Sequence, residues 1–384
     1  MRENPLKGLK PFHAMEILAE AKRLEAKGKQ IYHLELGEPA MPPAPSVISA
    51  VQAVLTTPQR YTHAKGQIEL RQALSAYYAN QHGADIDPER IIVTMGSSAG
   101  FVLAFLAGFA KGARIAVTRP GYPAYLNILE ALGFEAVEIA LRPETGWRLS
   151  AEDIAEAHAA KPFAGLLFAS PANPTGAVVS ASELKAIVST CQTLEVQLIS
   201  DEIYHGLDYT ARSVSAAEFS SDPIIVNSFS KYHCMTGWRV GWLVLPEPLV
   251  RRTEILQQNT FISAPSLSQV AALAALDAPD YAEAQKARYA QNRVLLTEGL
   301  TALGFGGATD TDGAFYCYAD ASAFTNDTMD FCQRLLRETG VAATPGVDFD
   351  RVNGQRFVRF SFAGSAETLN EALEKMAGFL TRPS

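Results

Sequence analysis

A stretch near the middle of the chain, from Ser228 to Gly241, combines residue types that bind phosphate and bond covalently to an aldehyde. It follows an apolar run and carries Ser228, Ser230, Lys231 and Arg239. Two hydroxyls and a guanidinium can bind a phosphate dianion, and the lysine amine beside them can form an imine with an aldehyde of the same ligand. Phosphate and aldehyde together describe pyridoxal phosphate, so the stretch predicts a site for that cofactor.

The same stretch resembles the Schiff-base motif of the class I and II aminotransferases, which are fold-type-I pyridoxal-phosphate enzymes. The resemblance implies that Lys231 holds the cofactor as a Schiff base and moves the α-proton of the substrate. It also implies that Ser228, Ser230 and Arg239 bind the cofactor. A single lysine is usually a solvated loop residue, but the surrounding motif argues against that interpretation here.

Two upstream segments resemble further motifs of the same family. Asn173 stands in an asparagine-proline turn, from which its amide can donate to the phenolate oxygen of the cofactor and to a substrate carboxylate. Asp201 and Tyr204 follow the next apolar run; an aspartate there would keep the pyridine ring protonated, and the tyrosine would donate to the phenolate oxygen. Asn173 and Asp201 are 28 residues apart, and Asp201 and Lys231 are 30 apart. Each separation is about one βα unit, so all three are expected on neighbouring strand ends.

Other cofactor contacts are implied by weaker motifs. The turn beginning at Gly96 is small enough for backbone N–H groups at a helix N-terminus to approach a phosphate, and the resemblance implies Ser97 and Ser98 there. It also implies that Tyr122 stacks on the cofactor. Tyr61 lies in a segment that resembles the one reaching across a dimer interface to the neighbour's phosphate. A homodimer with shared active sites is therefore expected.

Substrate binding is predicted at the two ends of the chain. The alternating run 356–362 matches the family's C-terminal arginine motif, in which Arg359 would hold a substrate α-carboxylate as a bidentate pair. Gly37 resembles the N-terminal lid turn, where a backbone N–H meets the same carboxylate. A dicarboxylate donor would need a second cation, for which Lys65 is a candidate, although a solvated loop lysine is the favoured interpretation. Aromatic, aliphatic and acidic donors remain open, and His233 receives no role.

The elements that position these residues alternate along the chain. Apolar runs predict strands over 90–95, 114–118, 136–140, 165–169, 197–200, 224–227 and 239–245, with helical periodicity between them, for example over 99–110 and 181–191. This pattern predicts an α/β fold with a mostly parallel seven-stranded sheet. The expected organisation is an N-terminal arm with part of the small domain (1–40), a large cofactor-binding domain (41–280) and a small α+β domain (281–384).

Composition narrows the possible partners. The 384 residues carry a net charge of −8, which argues against nucleic-acid binding, and no run of about 18 apolar residues occurs. The N-terminus lacks the apolar stretch of a signal peptide. Four widely spaced cysteines and seven histidines show no metal-ligand spacing. We therefore expect a cytoplasmic protein without a metal, acting on small amino acids and 2-oxo acids.

The motifs occur in family order from Gly37 to Arg359, which implies a transaminase that works in two half-reactions. Two alternatives remain at this stage. A lyase, synthase or decarboxylase could use the same scaffold, because a fold does not fix a reaction. A cofactor-binding regulatory domain of the aminotransferase-like transcription factors is the other, although the chain has neither spare length nor a basic face for a DNA-binding module.

Overall fold

The computed structural model describes residues 11–307 and 311–381, and a large twisted sheet forms its centre. The strands are β1 (Tyr32–His33), β2 (Ile91–Thr94), β3 (Arg114–Arg119), β4 (Glu135–Ala140), β5 (Gly165–Ala169), β6 (Gln197–Asp201), β7 (Ile224–Ser228), β8 (Gly241–Val244), β9 (Tyr316–Asp320), β10 (Val341–Ala342), β11 (Thr344–Pro345) and β12 (Phe357–Ser361). Seven of them form one sheet in the order β2-β8-β7-β6-β5-β3-β4.

Five neighbouring strands of this sheet, from β7 to β4, run parallel, whereas β8 is antiparallel to both β7 and β2. All seven runs predicted from the sequence are therefore strands of one sheet, and the predicted α/β class with a mostly parallel sheet is confirmed. Because β5, β6 and β7 are parallel, their carboxyl ends meet at one edge, which is where open α/β sheets bind ligands.

Helices cover both faces of the sheet. They are α1 (His13–Glu25), α2 (Pro45–Val54), α3 (Ile68–His82), α4 (Gly96–Gly108), α5 (Pro123–Leu132), α6 (Ala151–Ala160), α7 (Ala181–Thr193), α8 (Glu247–Thr260), α9 (Ser266–Leu276), α10 (Pro279–Leu303), α11 (Thr328–Thr339) and α12 (Ala366–Leu380). Successive residues of β5 enter different apolar clusters: Leu167 packs with Phe105 of α4, whereas Leu166 and Phe168 pack with Leu184 of α7. Burial on both faces explains why these strands read as continuous apolar runs.

A second, smaller unit contains the C-terminal residues. Its antiparallel sheet has the order β11-β12-β9, and β1 pairs with β10, so the N-terminal segment adds a strand to this unit. Ile17 of α1 and Leu34 are buried in the same cluster as Phe360 of β12. The predicted boundary at residue 281 falls in the first turn of α10, and the domain limits stay a prediction. The first ten residues of the predicted N-terminal arm lie outside the described residues.

Several predicted elements begin at other residues in the structure. Helix α4 begins at Gly96 rather than at residue 99, so the small residues expected in a loop form its first turn. Strand β8 begins at Gly241 rather than at residue 239, because Arg239 has a φ of 52°, a left-handed conformation outside the range of a regular strand. Across residues 11–307 and 311–381, no helix combines the length and apolarity that crossing a membrane requires.

Candidate active site

A cavity of about 490 Å³ lies at the carboxyl ends of β5 and β6, between the large sheet and the C-terminal unit. Most of the residues singled out in the sequence line it: Gly37, Ser97, Ser98, Tyr122, Asn173, Asp201, Tyr204, Ser230, Lys231, Arg239 and Arg359. Residues far apart in the sequence thus meet at one site. Their contacts indicate what kind of ligand the cavity can hold.

Lys231 presents its amine inside the cavity. Its Nζ donates to the carbonyl of Gly37 at 2.5 Å, and it lies 5.9 Å from the ring centroids of both Tyr204 and Phe315. Burial lowers the pKa of Lys231 to about 8; Glu38 opposes this shift, and Arg359 adds to it. The lowered pKa increases the fraction of the amine that is neutral near pH 7, and the neutral form is the nucleophile and the base.

Asp201, the last residue of β6, is a buried carboxylate with 3% of its surface exposed. Its Oδ1 accepts from the backbone N–H of Ile203 at 3.1 Å, and Tyr125 donates its hydroxyl to Oδ2. Burial raises the pKa of Asp201 to about 6, against the lowering effect of the Tyr125 hydrogen bond. Within the described part of the chain this carboxylate enters no ion pair, so a ligand with a protonated ring nitrogen would complete its environment.

The raised pKa predicts a pH-dependent stability of the cofactor-free protein. The folded value near 6 exceeds the unfolded value of 3.8, so the contribution of Asp201 to stability is complete below about pH 4 and is lost as the pH rises through 6. Asp201→Asn should therefore raise the free energy of unfolding at pH 7.5, by up to about 3 kcal/mol, with no gain at pH 4. Denaturant titrations at both pH values test this, with the exposed Asp85→Asn as control; a variant less stable than wild type at pH 7.5 would contradict it.

Two tyrosines of the site were not predicted. Tyr125 lies three residues after Tyr122, and the two rings pack edge to face at 5.3 Å, so both reach the cavity from the start of α5. The helical spacing of three was the available signal. Tyr316 of β9 has its hydroxyl 2.9 Å from that of Tyr204, and burial raises the pKa of Tyr204 well above its ordinary value. Nothing in the local sequence linked Tyr316 to the site.

One end of the cavity is built to bind an anion. Met95, which precedes α4, provides no side-chain cap, so the first amides of this helix are available to a ligand beside Ser97 and Ser98. Gly96 has a φ of +71°, and a Cβ there would lie 2.5 Å from Nη2 of Arg239. Only glycine therefore lets the guanidinium lie against this turn. Hydroxyls, amides and a guanidinium fit a phosphate dianion.

Ser228 and Tyr61, which were predicted to contact the cofactor, do not line the cavity. Ser228 is buried behind the cavity, where its hydroxyl donates to the carbonyl of Val240 at 2.9 Å and lies 2.8 Å from the hydroxyl of Ser230. It therefore orders the loop that carries Ser230 and does not line the cavity itself. Tyr61 is 82% exposed and lies outside the cavity of its own chain. Contact of Tyr61 with a neighbouring subunit stays a prediction.

The guanidinium of Arg359 is held by hydrogen bonds from its two terminal nitrogens and by two aromatic rings. Its Nη1 donates to Oδ1 of Asn173 at 2.9 Å, and its Nη2 donates to the carbonyl of Glu35 at 2.6 Å. The rings of Tyr316 and Phe349 lie 4.3 and 4.7 Å from the guanidinium carbon. A planar cation held in this way is pre-organised for a carboxylate. The same contacts join the Asn173 turn to the C-terminal unit.

The two residues left open by the sequence have structural roles. The interpretation of Lys65 as a solvated loop lysine is wrong: it is buried, and its amine pairs with Glu89, which also accepts from Arg71 at 2.8 Å. Nor does Lys65 line the cavity. His233 packs on Phe229 at 5.0 Å, and burial lowers its pKa to about 4. Among the residues that the structure describes, no cluster of histidine, cysteine and acidic side chains could hold a metal ion.

The sequence and the structure were both compared with those of known proteins. Residues 29–376 match the family model described as aminotransferase class I and II. The chain is 45% identical over 379 residues to a valine–pyruvate aminotransferase from Mycobacterium tuberculosis, covering 97% of each chain. A crystal structure of an aminotransferase from Mycobacterium tuberculosis superposes with a TM-score of 0.95 at 44% identity, covering 99% of both chains. Aspartate aminotransferase from Thermus thermophilus with maleate superposes with a TM-score of 0.93 at 32% identity, covering 99% of this chain and 100% of that one.

Proposed function

Because the chain belongs to the class I and II aminotransferase family, we propose that it binds pyridoxal phosphate in this cavity and transfers an amino group from an apolar L-amino acid to a 2-oxo acid. The observation that carries the proposal is the meeting of three groups in one cavity. These are the Lys231 amine, the buried Asp201 carboxylate and the stacked Arg359 guanidinium. Each suits a different part of such a reaction.

The lining residues fit the cofactor. The first turn of α4, Ser230 and Arg239 would hold its phosphate, and Asp201 would accept from its ring nitrogen. Lys231 would hold its aldehyde carbon, and Asn173 and Tyr204 lie within the same cavity to donate to its ring oxygen. When bound, pyridoxal phosphate supplies an aldehyde that takes up the amino group and a ring that withdraws electrons from the substrate's α-carbon.

The chain's own residues perform the proton transfers and the positioning. Lys231 has an amine with a lowered pKa, so its Nζ can take the proton from the α-carbon of the substrate. Asp201 would favour a protonated ring nitrogen on a bound cofactor, since an ionised carboxylate buried there is stabilised by a cationic partner. Arg359 fixes the substrate carboxylate, and this fixes the face of the α-carbon that Lys231 meets. Phe12 and Met15 add apolar side chains to the lining of the cavity.

The proposed role of Arg359 predicts a selective defect. Arg359→Lys keeps the charge but loses the planar fork and its stacking between two rings, so the KM for the amino donor should rise about tenfold or more. The absorption spectrum of the bound cofactor should stay nearly unchanged. Steady-state kinetics and spectra test both parts, with Arg356→Lys as the matched control, because Arg356 directly precedes β12 and pairs with Asp320 at the surface. A KM increase below about threefold would remove Arg359 from this role.

The donor class follows from the lining. In the described part of the chain, the cations that line the cavity are Lys231, Arg239 and Arg359, and each already has a role. The remaining entrance is lined by Phe12, Met15, Leu18 and Leu36 and by acidic residues. A second carboxylate on the substrate would lose water there without gaining a cationic partner from this chain, at a cost of several kcal/mol. The lining therefore favours a donor with an apolar side chain, and a relative at 45% identity is named for valine and pyruvate.

A panel of amino donors tests the proposed function. Purified protein should transfer the amino group of L-valine, L-leucine and L-phenylalanine to pyruvate or 2-oxoglutarate, with product oxo acids measured chromatographically. We expect kcat/KM for the best apolar donor to exceed that for L-aspartate about 100-fold or more, as the burial of an unpaired carboxylate implies. Equal or greater efficiency with L-aspartate would contradict the donor class, and no transfer from any donor would contradict the reaction.

We also propose that the active form is a homodimer in which Tyr61 reaches the phosphate of the neighbouring site. The exposed position of this aromatic ring, outside its own cavity, supports the proposal, and closed two-fold dimers are the commonest soluble oligomers. Tyr61→Phe should weaken phosphate retention modestly, since it removes one hydroxyl donor to a charged acceptor, worth about 1.5–3 kcal/mol. Cofactor dissociation measured against a Tyr281→Phe control tests this.

Complementation is the sharper test of a shared site. Lys231→Ala subunits and Tyr61→Glu subunits should each be inactive, but subunit exchange should restore part of the activity. One site of the mixed dimer would then contain an intact Lys231 and an intact Tyr61. Absence of recovery despite proven exchange, or a fully active monomer by light scattering, would show that Tyr61 serves no neighbouring site.

A further inference from the structure

Directly behind the cavity floor, two ionisable side chains face each other in the protein interior. Glu202 follows Asp201, and His205 follows Tyr204, so each is adjacent in sequence to a residue of the cavity. Both side chains are buried, with 1% and 2% exposed, and Oε2 of Glu202 lies 3.5 Å from Nδ1 of His205. Neither atom has a hydrogen-bond partner among the described residues. A buried acceptor without a donor is costly, so the pair needs an explanation.

The other atoms of the pair are satisfied and fix its orientation. Oε1 of Glu202 accepts from the hydroxyls of Ser200 at 3.1 Å and Ser215 at 3.0 Å and from the N–H of Ala216 at 2.9 Å. Nε2 of His205 lies 3.1 Å from the carbonyl oxygen of Ser170. A carbonyl only accepts, so Nε2 must carry the hydrogen. In a neutral imidazole, Nδ1 is then a bare acceptor that points at Oε2.

A hydrogen atom between Oε2 of Glu202 and Nδ1 of His205 would join the two facing acceptors in one hydrogen bond. It can belong to an acid that donates to a neutral ring, or to an imidazolium that donates to a carboxylate. Burial favours the neutral pair on both sides, since it raises the pKa of Glu202 to about 8 and lowers that of His205 to about 3. The charged form would place two ions in the interior, where desolvation is expensive.

The neighbouring charges are already paired. Glu218 pairs with Arg212 at 2.7 Å, and Asp208 pairs with Lys286 at 2.6 Å. On the α3 side, the ring of His82 lies 5.3 Å from the ring of His205 and bonds to Glu218 at 2.9 Å. In the described part of the chain, no lysine or arginine contacts Glu202 to neutralise a carboxylate.

We propose that Glu202 is protonated and donates to Nδ1 of His205, and that this neutral pair positions Tyr204 and the Asn173 turn for the proposed aminotransferase reaction. The contacts explain how. His205 holds the carbonyl of Ser170, the residue from which the Asn173 turn begins, and the N–H of Ser170 donates to the carbonyl of Asp201 at 3.2 Å. One pair of side chains thus joins the strand ends that carry Asp201, Tyr204 and Asn173. Glu202 and His205 are positioning residues, since neither lines the cavity.

Infrared spectroscopy tests the protonation state without reference to activity. The difference spectrum of wild type minus Glu202→Gln at pH 7 should contain the carbonyl stretch of a protonated carboxylic acid, which shifts in D₂O. The matched control is Glu218→Gln, which should remove only carboxylate bands because Glu218 pairs with Arg212. A difference spectrum for Glu202→Gln that contains carboxylate bands alone would overturn the proposal, whatever the enzyme's substrate proves to be.

Rescue by the isostere tests the positioning role. Glutamine has the shape of the protonated acid: its carbonyl can accept the three bonds of Oε1, and its amide can donate to Nδ1. Glu202→Gln should therefore keep kcat/KM within about threefold of wild type, whereas Glu202→Leu should lower it about tenfold or more through the lost buried bonds. The donor KM should carry much of the loss, because Asn173 bonds to Arg359. A loss of more than tenfold in Glu202→Gln would overturn the proposal even if Glu202→Leu fails to fold.

Discussion

Replacement of Lys231 by alanine should abolish turnover while leaving part of the cofactor binding intact. The substitution removes the covalent anchor and the base that moves the α-proton, whereas the anion site at α4 and Arg239 is untouched. We expect kcat below detection, with cofactor retained more weakly than in wild type. Absorption spectra after gel filtration and amino-transfer assays measure the two effects. The exposed Lys185→Ala is the matched control and should behave as wild type.

Chemical labelling can identify the lysine that anchors the cofactor. Borohydride reduction of the wild-type protein with bound cofactor, followed by peptide mapping, should place the label on Lys231. Its amine is the one lysine amine among the residues lining the cavity in the described chain. A label on another lysine, or a Lys231→Ala variant that retains turnover, would remove Lys231 from the centre of the mechanism.

Asp201→Asn should lose far more in kcat than in cofactor affinity. The amide has the size of the carboxylate; its oxygen can still accept from the N–H of Ile203 and its NH2 can donate to the hydroxyl oxygen of Tyr125, so the cavity keeps its shape. It cannot hold a proton on the ring nitrogen electrostatically, and the withdrawal of electrons from the substrate weakens. The expected loss is several kcal/mol of barrier, roughly 10²-fold in rate or more.

Single-turnover kinetics with saturating donor isolate this effect from substrate binding. Asp85→Asn serves as the control because that carboxylate is exposed and does not line the cavity. Near-normal kcat in Asp201→Asn would show that the ring nitrogen does not depend on this carboxylate. The same variant should be more stable than wild type in the cofactor-free form at pH 7.5, so a loss of rate cannot be ascribed to unfolding.

The large sheet could be predicted because each of its strands leaves a signal in its own stretch of sequence. Strands buried on both faces must be apolar along their whole length, and β5, β6 and β7 each end where polar residues begin. The residues at which helices and strands begin were harder to predict. Helix α4 begins at Gly96, but glycine and serine have low helix propensity, so its first residues are typical of a loop when taken in isolation.

The site was predictable where chemistry is concentrated in short motifs, as around Lys231, Asp201 and Arg359. It was not predictable where the defining contact is distant in sequence. Tyr125 meets Asp201 across 76 residues, and Tyr204 meets Tyr316 across 112. Lys65 read as solvated because its partner Glu89 lies 24 residues away. These contacts arise only when the sheet brings its strand ends together.

The proposed function requires that the enzyme retain the nitrogen of the donor amino acid between two half-reactions. The most direct measurement mixes protein carrying its cofactor with ¹⁵N-labelled L-valine and no acceptor. We predict one equivalent of the 2-oxo acid per active site, no carbon dioxide and no free ammonia, with the ¹⁵N released as alanine only when pyruvate is added. Release of ammonia or carbon dioxide without an acceptor would instead identify a lyase or a decarboxylase and contradict the proposed function.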